Sequence, residues 1–123
     1  MIVFKFFSTQ IFTGKFPNNY PDVLDYEGIF RIEIDDKLFF IQPDFSVFEF
    51  LMYADDWITN NKSKDMQYRC LDTDENPLIS FILKNDGWYI YSPWQLFQCD
   101  NIFSKEELVN AIIKLKKSIN EQK

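Results

Sequence analysis

The sequence predicts an α+β fold: a largely antiparallel sheet of five to seven strands with two helices packed on it, in the order βββ-α-βββ(β)-α. Three observations lead there. Two Ser-x-x-Glu capping boxes, Ser46/Glu49 and Ser104/Glu107, each precede an apolar stripe at helical spacing. A period of two runs through Glu27–Ile34, with Phe30, Ile32 and Ile34 on one face and Ile29, Arg31 and Glu33 on the other. Short β-prone runs bounded by turn residues lie on both sides of the first helix.

Taken in order, Ile2–Phe7 is β-prone and reads as a first strand rather than a signal peptide, since no small-residue cleavage site follows it. The stretch from Thr13 to Asp25, with Gly14, Pro17, Asn18, Asn19 and Pro21, reads as loop. Glu27–Ile34 turns at Asp35-Asp36-Lys37 into Leu38–Gln42, and Pro43 is expected to end that strand. In the helix that follows, Val47, Phe50, Leu51, Ala54, Trp57 and Ile58 gather on one side, with Glu49 and Asp56 opposite and Asn60-Asn61 at its end. Phe48 and Met52, one turn apart, point away from the apolar centre toward the acidic side.

Met66–Leu71, Leu78–Lys84 and Trp88–Ser92 form the next strands, separated by Asp72–Pro77 and by Asn85-Asp86-Gly87. The second separator reads as a three-residue hairpin loop whose Gly takes the left-handed conformation. Trp88 and Ile90 alternate there with Tyr89 and Tyr91, and Pro93 interrupts the ladder before a short edge strand at Trp94–Gln98. The closing helix runs from Lys105 to Ile119 on the stripe Leu108, Ile112, Leu115, Ile119. Lys114 and Lys117 lie off that stripe, where the helix dipole favours cations near the C-terminus.

Length and composition bound the function. One domain over residues 1–123 is the default for 123 residues, and 46% apolar residues suit a globular chain. With no histidine, Ser-His and Cys-His triads, His-ligated metals and switching near a pH of about 6.5 are excluded. The net charge of −6 argues against nucleic acid as a partner, because phosphate binding needs clustered Lys and Arg. That charge is uneven: residues 1–100 hold 8 basic and 16 acidic side chains (net −8), the rest 5 and 3 (net +2). Cys70 and Cys99 show no CxxC spacing and are expected to be reduced. No run approaches the about 18 apolar residues of a membrane span, so a cytoplasmic protein is the economical expectation.

Each acidic cluster has a simpler reading than chemistry. Asp72-Thr73-Asp74-Glu75-Asn76 begins like an EF-hand loop, but Pro77 replaces the turn glycine and Leu83 the bidentate glutamate, so a solvated acidic turn is expected. Asp55 and Asp56 diverge by about 100° on a helix and cannot converge on one bond unless a third group joins them. Asp35-Asp36 sits in a turn, where Asp bonds its own backbone. Three glycines leave little for a phosphate cradle. No catalytic, cofactor-binding or metal-ligating residue is assigned, no cofactor is implied, and an enzyme is not expected.

Surface chemistry carries the better signal. If Trp88 and Ile90 look into the core, Tyr89 and Tyr91 face outward, on a sheet face shared with Gln67 and Arg69 of the neighbouring predicted strand. Tyr and Arg are enriched where surfaces bind proteins. The competing reading is that the second helix or the Thr13–Asp25 loop covers that face. Phe48 and Met52, beside Glu49 and Asp56, form a second candidate protein-binding patch, unless an extra layer or a loop covers it.

One short acidic α+β domain with 14 Phe, 6 Tyr and 3 Trp, few alanines (Ala54 and Ala111) and no catalytic set resembles the small immunity proteins that guard bacteria against polymorphic or contact-delivered toxins. The resemblance implies stoichiometric occlusion of a protein partner, a cationic toxin domain steered in by the acidic body. Two other readings stay open. One is a self-associating structural or regulatory module, a homodimer formed through a sheet edge or the Phe48/Met52 patch. The other is a small carboxylate-using hydrolase or ligand-binding domain.

Overall fold

Alternating segments become strands, and each capping box starts a helix. The computed structural model describes residues 1–8, 27–60, 64–70, 73–85 and 87–121. In chain order these form β1 (Ile2–Phe7), β2 (Glu27–Ile34), β3 (Lys37–Ser46), α1 (Val47–Asn60), β4 (Met66–Tyr68), β5 (Ile79–Lys84), β6 (Gly87–Tyr91) and α2 (Lys105–Glu121). The class and the order βββ-α-βββ-α agree with the sequence reading. The single sheet does not: the strands form two three-stranded antiparallel sheets, β1-β2-β3 and β4-β5-β6. The Thr13–Asp25 segment, Asn61, Leu71, Asp72 and Asp86 lie outside the described residues.

Ring volume explains the split. Each triplet of strands has one apolar face, and the two faces meet through phenylalanines rather than continuing edge to edge. Phe4 of β1 stacks on Phe81 of β5 at 6.2 Å, and Phe45 of β3 stands edge-on to Tyr68 of β4 at 5.7 Å. Phe30 stacks on Phe45 at 4.3 Å within the first sheet. Trp57 of α1 meets Phe81 and Trp88 edge-on, at 5.3 and 5.6 Å. One core therefore serves both sheets. Offset and edge-to-face pairs of this kind contribute about 0.5–1.5 kcal/mol each beyond their buried area.

α2 lies along β1 and buries Leu108, Ala111, Ile112, Leu115 and Ile119. Its capping box is complete: the Ser104 amide donates to Glu107 Oε1 and the Glu107 amide to Ser104 Oγ, both at 3.1 Å. Lys116 ties α2 to α1 through Asp55.

Four local expectations are corrected. Asp35 and Asp36 both take positive φ (50° and 67°) and Ile34 pairs with Lys37, so the hairpin loop has two residues and Lys37 already belongs to β3. β3 continues through Pro43 to Ser46; it is an edge strand with a register shift opposite Gly28–Phe30, and such positions tolerate proline. Gly87 is not left-handed. It pairs with Lys84, and a Cβ there would stand 2.6 Å from both Phe103 O and Ile102 Cγ2. Close packing, not φ, is what it supplies. Trp94–Gln98 is irregular rather than a strand. It still covers the β3 edge, because the Leu96 amide donates to Phe39 O at 2.7 Å and the Phe97 ring meets Phe39 edge-on.

Candidate functional site

The β4-β5-β6 register decides what faces outward. Met66, Phe81 and Ile90 form one cross-strand row and are buried. The next row, Gln67–Ser80–Tyr91, therefore points to the opposite face, and so does the pair Ile82–Tyr89. Period-two alternation thus brings Gln67, Tyr89 and Tyr91 together. Arg69 lies just past the end of β4, exposed beside them in sequence but outside the ladder.

The chemistry of this face is aromatic and rich in donors, with cationic side chains, Lys84 and the adjacent Arg69, at its margins. Tyr91 is 41% exposed, while Ser80 is buried at the centre of its row. Tyr89 is half-buried, with the Lys84 ammonium 4.4 Å above its ring. Among the described residues, Gln67, Arg69 and Tyr91 make no hydrogen bond or ion pair through their side chains. Their polar groups are left available to a partner.

The helical patch is a different matter. Met52 is 40% exposed and Asp56 is exposed, accepting from Asn60 Nδ2 at 2.9 Å. Phe48, expected beside Met52 at the surface, is fully buried. β4 does not account for this, since Glu49, Phe50 and Tyr53 are what meet Tyr68; Phe48 lies on the arc of α1 that carries Asp55, the partner of Lys116, and so faces α2 rather than solvent. Glu49 is half-buried and accepts the Tyr68 hydroxyl at 2.8 Å. Burial pushes the Tyr68 phenol far above the ordinary tyrosine range, and hydrogen bonds with Cys70 and Glu49 add to the shift. These contacts join α1 to β4 and leave Met52 and Asp56 as the surface part of the patch.

An apolar strip that the sequence reading did not single out lies on the outer face of β1-β2-β3. Phe7 sits directly across from Ile29, and Ile41 lies across from Arg31; all three apolar residues are exposed. Their signal was in the alternation, since Ile29 is out of phase with Phe30 and Phe7 with Phe4 and Phe6. The same face carries ion pairs from Glu33 to Lys5 (3.0 Å) and to Arg31 (3.4 Å).

No cluster of three or more metal-ligating side chains occurs among the described residues. In the turn expected to be acidic and solvated, the Asn76 side chain bridges Cys70 N, Cys70 O and Thr73 O at 2.8, 3.1 and 2.7 Å. Cys70 and Cys99 are both free. No helix among the described residues is long and apolar enough to cross a membrane.

Fold and surface together define an α+β protein of two small antiparallel sheets sharing an aromatic core, with tyrosines on the outer face of the second. The chain belongs to the family described as Domain of unknown function (DUF7878), whose model matches residues 2–122. No curated protein and no solved structure matches it.

Proposed function

We propose that this chain is a non-catalytic protein-binding domain whose partner docks on the outer face of β4-β5-β6, with Tyr89, Tyr91, Gln67 and Arg69 as its contacts. One observation carries the reading: Gln67, Tyr91 and the neighbouring Arg69 have no polar partner through their side chains within the described protein, although the strand register fixes the positions of Gln67 and Tyr91. Tyrosine presents a large amphipathic surface at low conformational cost, so exposed Tyr91 beside half-buried Tyr89 on a rigid ladder is suited to anchoring a partner. Met52 and Asp56 belong to α1, which packs on the inner face of that sheet, so they form a separate candidate contact rather than part of this one.

The net charge of −6 favours a basic partner by speeding encounter. The most specific form of the reading is an immunity protein that neutralises a cationic toxin domain by occupying its surface. The test is binding to the toxic domain encoded next to this chain's gene, measured by surface plasmon resonance at low and high salt. A 1:1 complex is expected, with an association rate that falls as salt rises. Tyr91→Ala should weaken it by about thirtyfold or more, as for an interface anchor. A complex indifferent to Tyr91→Ala overturns the assigned face, and no complex at all overturns the immunity reading.

A further inference from the structure

The sheet edges are closed unequally. The Leu96 amide occupies the β3 edge, donating to Phe39 O at 2.7 Å. Phe103 occupies the β6 edge, exchanging two bonds with Trp88 at 2.8 and 2.7 Å. At Ile2–Phe4 the outer edge of β1, with α2 running alongside, bonds to no other backbone among the described residues.

Register shows which groups are left there. The Asp35 amide donates to Met1 O at 2.8 Å, and Ile2, Val3 and Phe4 lie opposite Ile34, Glu33 and Ile32. In an antiparallel ladder bonded and non-bonded pairs alternate, so Val3 spends its backbone on β2 while Ile2 and Phe4 turn theirs to the open edge. That edge opens on a groove of about 420 Å³ lined by Met1–Phe4 and by Glu107, Asn110, Ala111 and Lys114 of α2.

The groove has a polarity. Glu107 lies at its Met1 end, near enough to attract that residue's amino group. Lys114 stands two turns further along α2, about 10 Å away. Three strand steps from Met1 to Phe4 also span about 10 Å. At the first end two carboxylates, Asp35 and Glu107, share the one Met1 ammonium, so that end is net acidic, while Lys114 makes the other basic.

We infer that a second copy of this chain pairs with the β1 edge, antiparallel and two-fold about Val3. Ile2 of each copy then bonds Phe4 of the other, and Glu107 of each faces Lys114 of the other. The charge pattern selects this occupant, because a groove acidic at one end and basic at the other is its own complement under a two-fold rotation. Pairing yields one continuous sheet and removes the open edge, a known liability of β proteins. The interface is separate from the outer face of β4-β5-β6, so either proposal can fail while the other stands.

The test is sedimentation equilibrium of the full chain between about 1 μM and about 1 mM, the range in which weak dimers form. A concentration-dependent dimer is expected. Lys114→Glu should weaken it by about tenfold or more, since two like-charge contacts replace two attractive ones. Adding Glu107→Lys in the same chain should restore it. Because Glu107 also caps α2, a second measurement needs no variant: protection of the Ile2 and Phe4 amides from hydrogen exchange should rise with concentration. A monomer throughout the range overturns the inference. So does a dimer unaffected by Lys114→Glu, or one that leaves the Ile2 and Phe4 amides unprotected.

Discussion

The two sheets share one core but dress their outer faces differently. On β1-β2-β3, Glu33 engages both Lys5 and Arg31, so charges on adjacent strands satisfy one another. On β4-β5-β6 the corresponding positions hold Gln67, Ser80, Tyr89 and Tyr91, and no ion pair joins them among the described residues. Alternation alone does not distinguish these faces. What distinguishes them is whether each polar group already has a partner within the fold. Beyond its exposed Phe7, Ile29 and Ile41, a face whose charges are paired has few polar groups left to offer, whereas the other keeps unspent donors beside its rings.

The comparison assumes that both inner faces belong to one cooperative unit, and the largest expected effect tests that assumption. The Phe81 ring touches Phe4 of the other sheet and Trp57 of α1. Phe81→Ala should destabilise the protein by about 3–5 kcal/mol through lost burial and the cavity left behind. In urea titrations followed by amide exchange, β1 and β5 should lose protection together. Loss confined to β4-β5-β6 would show two separate cores and break the comparison.

Each sheet also depends on one glycine for close approach. A Cβ on Gly28 would stand 2.2 Å from Phe7 O, the backbone of the neighbouring strand β1. On Gly87 the nearest atoms are Phe103 O and Ile102 Cγ2, both at 2.6 Å. Backbone must move in both cases. Thermal unfolding should show losses of about 1–3 kcal/mol for Gly28→Ala and Gly87→Ala, with Gly28→Ala the larger. The order is informative: β1 is bonded along its whole length to β2, whereas Phe103 meets Trp88 at a single bridge and can retreat.

These glycines also mark the limit of what the sequence made legible. Element types and order could be read because capping boxes, alternation and turn residues act locally. The Gln67/Tyr89/Tyr91 face could be read for the same reason, since a strand's period of two does not depend on what the strand packs against. Whether two triplets of strands join edge to edge or face to face depends on how Phe4, Phe45, Phe81 and Tyr68 fit together, which no window of neighbouring residues encodes. Phe48 was misplaced by a similar omission. A wheel drawn for a helix on one sheet puts it at the margin, whereas its arc, shared with Asp55, faces α2. Gly87 was assigned a conformational role because its neighbours suggest a turn, while the constraint comes from residues at positions 102 and 103.

The smallest effect concerns the outer faces themselves. Glu33→Gln removes the charge that holds Lys5 and Arg31 without changing the side chain's shape. Lys5 and Arg31 remain well exposed (44% and 38% of their side-chain surface), so water compensates most of the loss. Chemical denaturation should register a cost below about 1 kcal/mol that shrinks as salt is raised. Gln67→Ala on the other sheet, where no internal bond is given up, should stay within about 0.5 kcal/mol and show no salt dependence. It is the sensitivity to salt, more than the size of either number, that separates a face whose charges serve the fold from one whose groups do not. If Gln67→Ala proved the more costly, then the donors on the tyrosine face are already committed inside the protein, and the main support for a partner there is lost.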